Sequence, residues 1–462
     1  MEKISRRFLA YLAVIGLTAG VAVSSPVQAA AADDLITLRG YDEPSTPARY
    51  DKVRVLRQGP ASAENVLVLT PGTSAGATNF RPMARGLLAR LDGWQVWSIE
   101  RRENLLEDHS VLRRYTAGKA SAEQLVDYYL GWLTDPSQRP RFTPATTEQT
   151  RFAHGWGMRV AVQDVRRVVR KANQHDRTVV LGGHSLGGRI TTAYASWNFS
   201  GTPGAAGLDG LVFIDGSGAG TSLPTAAEAR NSLADLRSGS PFADLLGLGL
   251  PWASGVFNAL GSTTATIDPD QPSALQGFPL VPGALKPPVP ATNLATYGYS
   301  VDSDTSPDFL SLVHSHIGSL ATSGDPRGWV DGELGSASRA ASVFAARGGV
   351  DGTSWYHPSR LSLDGRSVNN GVANPAQRVL GVKATMGHRV AIPMFAFDAQ
   401  LGGGRVGEAT RELARAAGVP DRHVTTVDRS RTFAHIDPLS ASPRKNTFIK
   451  RLVPFLERTA RR

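Results

Sequence analysis

Hydrophobic and polar positions along this chain fall into two alternating patterns. Asn65–Thr70 (NVLVLT) is a short apolar run closed by Pro71-Gly72, the pattern of a buried strand, and Trp94–Glu100 (WQVWSIE), Thr178–Leu181 (TVVL) and Leu211–Asp215 (LVFID) read as further strands. Between them lie segments of helical spacing. Phe80–Leu91 carries apolar residues at three- and four-residue steps, Met158–Asn173 (MRVAVQDVRRVVRKAN) repeats Val in the same way, and Leu186–Asn198 continues the series. Alternation of this kind predicts βαβ crossovers and a mostly parallel sheet flanked by helices.

The alternation stops at Gly216. Seven Pro between Pro269 and Pro290 exclude a regular sheet there, and helical pieces are expected at Ala226–Leu236 and Asp308–Leu320. The pattern resumes with a strand at Val390–Phe397 (weakened by Pro393), a helix at Gly407–Ala417, a strand at Val424–Asp428 and a last helix at Lys445–Thr459, kinked at Pro454. The chain therefore divides into one α/β domain, residues 30–215 and 390–462, and a large insertion, residues 216–389, placed before the last two strands. No internal repeat is visible.

Residues 1–29 have the layout of an export signal. Lys3, Arg6 and Arg7 precede an apolar run from Phe8 to Val23, and Val27-Gln28-Ala29 offers small side chains before a cut. Gly16, Thr18 and Gly20 break the run, which argues against a membrane span. Ser5-Arg6-Arg7-Phe8-Leu9 resembles a twin-arginine signal, without the residue that separates the Arg pair from Phe8. The expectation is an exported protein with no stable membrane insertion once the signal is removed.

Two segments read Gly-x-Ser-x-Gly: Gly72-Thr73-Ser74-Ala75-Gly76 and Gly183-His184-Ser185-Leu186-Gly187. A nucleophile elbow requires a strand, a sharp turn that strains the Ser, and a helix at once after it. Ser185 meets each condition, with TVVLGG before it and LGGRITTAYASW after it. At Ser74 the approach is broken by Pro71, and the helix begins only near Asn79.

Around Ser185 the chain resembles the α/β-hydrolase family, over roughly Leu35–Asp215 and Val390–Arg462. The resemblance implies an α/β-hydrolase fold with the insertion as a lid, and a triad in the order Ser, acid, His. It places Ser185 as nucleophile and His435, in the loop before the final helix, as base. It places Asp398, at the end of the strand VAIPMFAFD, as acid, with Asp215 at the end of the preceding strand as the alternative. Backbone N–H groups of Leu186 and of Thr73, in the Thr70-Pro71-Gly72-Thr73 turn, are implied as the oxyanion hole. The implied reaction is ester cleavage through an acyl-enzyme, on a substrate with an apolar acyl or alcohol part. Amide cleavage, acyl transfer and a non-catalytic binding role on the same scaffold remain the alternatives.

Composition narrows the picture further. There is no Cys among 462 residues, which excludes disulfides, thiolate metal sites and a Cys nucleophile. The net charge of +10 falls to +8 without residues 1–29, and six Lys or Arg lie in Lys445–Arg462, so basicity at the termini carries no case for nucleic acid. No phosphate-binding fingerprint follows a strand, so no cofactor is expected. His314-Ser315-His316, read on a helix, would point to different faces, so no metal is expected there. Glu100–Asp108 is dense in charge and reads as a salt-bridged loop.

Overall fold

The computed structural model describes residues 33–218 and 222–461; the segment read as an export signal, residues 1–29, lies outside them. One sheet organises the chain. Its strands are β1 (Asp34–Arg39), β2 (Lys52–Gln58), β3 (Asn65–Thr70), β4 (Trp94–Glu100), β5 (Thr178–His184), β6 (Gly210–Ile214), β7 (Met394–Asp398) and β8 (Val424–Asp428). Their order across the sheet is β1-β2-β4-β3-β5-β6-β7-β8. β2 runs antiparallel to β1 and to β4, and every other neighbouring pair is parallel. β1 and β2 are absent from the sequence expectation. KVRVLRQ alternates apolar and charged residues, as suits strands near a partly solvated edge rather than the buried centre.

The helices that cover the sheet are α1 (Arg81–Leu88), α2 (Met158–Ala172), α3 (Leu186–Ala195), α4 (Arg405–Ala416) and α5 (Thr447–Ala460). Because strand side chains alternate, each central strand feeds two cores. Val66 and Val68 of β3 pack with Val162 and Val165 of α2 and Ile190 of α3. Leu67 and Leu69 pack on the opposite face with Met83 and Leu87 of α1 and Phe448, Ile449 and Leu452 of α5. β6 and β7 divide in the same way, Phe213 and Ala396 to the first core, Ile214 and Phe397 to the second. β7 begins at Met394, one residue after Pro393, so the proline ends at the strand's entrance and removes no donor from within it. This strand order, with a strand–Ser–helix turn at its centre, is the α/β-hydrolase fold.

Between β6 and β7 the described residues build helices, among them the 15-residue Ala253–Ile267, and a two-stranded hairpin. The first expected helix is present, as Ala226–Ser238. The second is not. Asp308–Val313 forms only a 3-10 turn, and Gly318–Gly324 is a strand that pairs antiparallel with Arg327–Asp331. Pairing of Leu320 with Trp329 outweighs the helical spacing of the apolar residues. His314 and His316 therefore lie outside any helix. A third core joins this region to the segment between β4 and α2. Trp252, Val256, Leu260 and Trp355 pack with Leu112, Tyr129 and Phe142. Among the described residues no helix is long and apolar enough to cross a membrane.

Candidate active site

The site grows from the end of β5. His184 closes the strand, and Ser185 adopts φ 56° and ψ −123°, a conformation that non-glycine residues rarely hold. α3 begins at the next residue. The turn closes this tightly because its flanks lack side chains: a Cβ on Gly183 would sit 2.2 Å from the Gly187 carbonyl, and one on Gly187 would sit 2.0 Å from Thr70 O. Ser185 N–H donates to Ile214 O at 2.9 Å, which ties the turn to β6. Leu186 supplies the first N–H of α3, where helix donors have no intrahelical acceptor and the dipole favours negative charge.

The loop after β3 lies against this turn. A Cβ on Gly72 would be 2.9 Å from Ser185 Cβ, so the Gly72-Thr73 backbone passes directly beside the serine. Arg101, buried at the end of β4, braces that loop. Its guanidinium donates to Pro71 O at 2.8 Å, Gly72 O at 3.0 Å and Ala75 O at 3.3 Å, and its Nε to Glu103 Oε1 at 2.5 Å. With those carbonyls turned toward the guanidinium, the loop is fixed next to the serine. The charged segment Glu100–Asp108 is thus a salt-bridged loop as read from sequence, and Arg101 gives it a second task. Ser74, the other Gly-x-Ser-x-Gly serine, donates its Oγ to Ser354 O at 2.6 Å, a structural contact.

His435 lines the same cavity as this loop. Its Nδ1 lies 2.5 Å from Asp215 Oδ2, with both side chains almost fully buried. The other Asp215 oxygen accepts from Ala399 N at 2.7 Å and Gly402 N at 2.8 Å. Burial pushes the Asp215 carboxyl up. The hydrogen bond and charge of His435 and the Ala399 N–H outweigh this and leave it below the usual carboxylate range. His184 Nε2 donates to the His435 carbonyl at 2.9 Å, and the two rings lie 4.3 Å apart. Burial first, and the His435 charge second, hold His184 down to about 3, so it is a neutral donor.

Asp398, the first choice for the acid, is not the carboxylate at His435; Asp215, the alternative, is. β7 pairs in register with β8 up to Asp398–Asp428, and the Asp398 side chain turns to the start of α4. Its oxygens accept from Val406 N at 2.8 Å and Gly407 N at 2.9 Å, the unpaired donors of that helix's first turn. Asp215, with φ 46°, is swung out of line at the end of β6 and faces His435. Asp437 does not hold His435 either. It bonds His316 Nδ1 at 2.6 Å and Ala434 N at 2.7 Å, fastening the histidine loop to the insertion.

Three residues important to this arrangement escaped sequence reasoning: Arg101, His184 and Gly402. His184 sits inside the motif that reveals Ser185, and its place directly before the serine was the available signal. Nothing local marks Arg101.

Gly72, Thr73, Ser185 and His435 open into one cavity of about 310 Å³. Its walls are mainly apolar, including Leu246, Phe257, Leu275, Tyr297, Val313 and Phe344, all but Leu246 and Phe257 from 275–344 of the insertion. Five further lining residues, Leu245, Leu248, Leu280, Phe309 and Leu312, are large apolar side chains left exposed, Phe309 at 67%.

No family model matches the chain, and no curated protein matches it. Solved structures do. A lipase in its open form is 15% identical over 93% of this chain and 100% of that one, with a TM-score of 0.41. Epoxide hydrolase A from Mycobacterium thermoresistibile is 13% identical over 92% of this chain and 98% of that one, TM-score 0.42. A thermophilic esterase from Thermogutta terrifontis is 9% identical over 92% and 99%, TM-score 0.40.

Proposed function

We propose that this protein is an exported serine hydrolase that cleaves carboxylic esters with an apolar acyl or alcohol part. The reading is carried by one observation: a strained Ser185 and a carboxylate-held His435 open into the same apolar cavity. Ser185 Oγ attacks the carbonyl carbon while its proton passes to His435 Nε2. Asp215 holds the ring by Nδ1 and offsets the imidazolium charge. The negative oxygen of the tetrahedral intermediate is taken by the N–H groups of Thr73 and Leu186. His435 then protonates the leaving alkoxide, and the acyl-enzyme is hydrolysed by a water that gives its proton to His435. The insertion acts as the lid that shapes the acyl or alcohol pocket, since most of the cavity wall belongs to it.

Fluorophosphonate labelling of the purified protein, with the modified residue mapped by mass spectrometry, tests the nucleophile. Adduct on Ser185, and loss of p-nitrophenyl ester turnover in Ser185→Ala, are expected; full activity in that variant overturns the reading. A chain-length series of esters tests the pocket. Each methylene buried is worth about 0.8 kcal/mol, so kcat/KM should rise by up to about fourfold per carbon until the cavity is filled.

A further inference from the structure

The segment after β4 meets the insertion in a buried cluster that the proposed reaction does not use. Glu107 and His109 approach from one side and Asp351 from the other, with side chains 0%, 4% and 0% exposed. Each carboxylate is held from behind by one oxygen. Glu107 Oε1 accepts from Trp355 N at 2.9 Å. Asp351 Oδ1 accepts from the N–H and the hydroxyl of Thr353 at 2.6 and 2.8 Å. The two remaining oxygens converge on His109 Nε2, Asp351 Oδ2 at 3.1 Å and Glu107 Oε2 at 3.2 Å, and Asp351 Oδ2 also accepts from Trp355 Nε1 at 3.3 Å. One ring nitrogen carries at most one hydrogen. Here it serves Asp351, and Glu107 Oε2 is left fully buried with no hydrogen bond, which a native interior seldom tolerates.

A divalent cation between the imidazole nitrogen and the two carboxylates would take up the orphaned Glu107 oxygen.

We propose that Glu107, His109 and Asp351 form a structural site for a divalent transition-metal ion, with zinc the best fit. Their donor atoms, one imidazole nitrogen and two carboxylate oxygens, all lie within 4.8 Å of one another. Separations of 3.1 and 3.2 Å are close to the roughly 3.3 Å edge of a tetrahedron whose bonds are about 2.0–2.1 Å. The backbone donors behind each carboxylate are the supporting contacts that ligands of such a site need. The ion would tie the insertion to the loop beside Ser185, because Asp351 O accepts from Thr78 N and Ser354 O accepts from Ser74 Oγ. Sequence reading missed the set because Glu107 and His109 are only two of its members, and the third lies 242 residues beyond His109. The inference stands apart from the ester reading and is tested without turnover.

The experiment uses untagged full-length protein stripped with EDTA and titrated with ZnCl2 by calorimetry, with CoCl2 as a spectroscopic stand-in. One equivalent of zinc per chain, a rise in Tm on zinc addition, and cobalt d–d bands typical of four-coordination are expected. Glu107→Gln and Asp351→Asn should each weaken zinc binding by at least about 100-fold, while Ser185→Ala binds as the wild type does. Circular dichroism establishes that each variant is folded, and the wild-type stoichiometry and cobalt spectrum stand without the variants. Absence of saturable binding to the wild type, or unchanged affinity in both folded ligand variants, overturns the proposal and makes His109 an imidazolium shared between two carboxylates.

Discussion

The choice between two aspartates at neighbouring strand ends gives the sharpest test of the site. In Asp215→Asn the oxygen that accepts from Ala399 N and Gly402 N is preserved, so the amide keeps its seat. Its NH2 group then faces His435 Nδ1. A donor there forces Nδ1 to become the acceptor and puts the ring proton on Nε2, the atom that must take the serine proton. Loss of tautomer and of the charge that offsets the imidazolium costs about 10⁴-fold in kcat in serine hydrolysis, or about 5.5 kcal/mol of transition-state stabilisation. Asp398→Asn should do something different. It sets an amide donor against one of the N–H groups of Val406 and Gly407, at the first turn of α4. A lost helix-start acceptor costs about 1 kcal/mol of stability, and turnover should stay within about threefold of wild type. The assay is kcat and KM on a p-nitrophenyl ester at neutral pH, beside thermal denaturation of each variant. A 10⁴-fold loss in Asp398→Asn with near-normal rates in Asp215→Asn would refute the assignment of Asp215.

The same geometry predicts three further outcomes. Arg101→Lys keeps the charge but cannot reach three carbonyls at once, so kcat should fall about 10- to 100-fold with KM changed far less; steady-state kinetics that show only a KM effect would exclude a positioning role. Gly72→Ala puts a methyl 2.9 Å from Ser185 Cβ, so fluorophosphonate labelling should slow by about 100-fold or more while Tm moves little; normal labelling would separate that loop from the serine. Burial, and then Arg101, hold His357 down to about 3, against about 6.5 in an unfolded chain. Between those values the unfolded state binds the extra proton, so His357 costs stability as pH falls below about 6.5, by about 1.4 kcal/mol per pH unit. His357→Gln should flatten the acid side of the stability curve by that slope relative to wild type, and parallel denaturation curves from pH 6 to pH 4 would contradict it.

How much of the fold and the site was legible in the sequence depended on how local each cause is. β3, β5 and β6 were readable because parallel strands buried on both faces read as short apolar runs. β1 and β2 were missed because the edge strand and its neighbour carry charged residues among their apolar ones. Ser185 was readable because a strained turn between strand and helix imposes glycines at fixed offsets. The segment Asp308–Leu320 misled because its apolar spacing serves the cavity mouth and a hairpin, not a helix face: Phe309 and Leu312 line the opening, and Leu320 pairs with Trp329.

The proposed acid was the hardest residue to read, and the structure gives the reason. Asp215 and Asp398 end adjacent parallel strands, each after a buried apolar run, so composition and spacing treat them alike. The difference lies in the segment on the C-terminal side of each strand. After β7 a six-residue turn leads into α4, whose first N–H groups need an acceptor, and Asp398 supplies it. After β6 the first helix among the described residues starts only at Ala226, and its N-cap is Thr225 rather than Asp215. The turn after β7 also gives two N–H groups to Asp215, so the second strand contributes to the site through its backbone rather than its side chain. A carboxylate goes to the donors nearest it. The rule that picks the acid is therefore which of two strand-end aspartates is spared by a helix, and that can be read only once the helix starts are known.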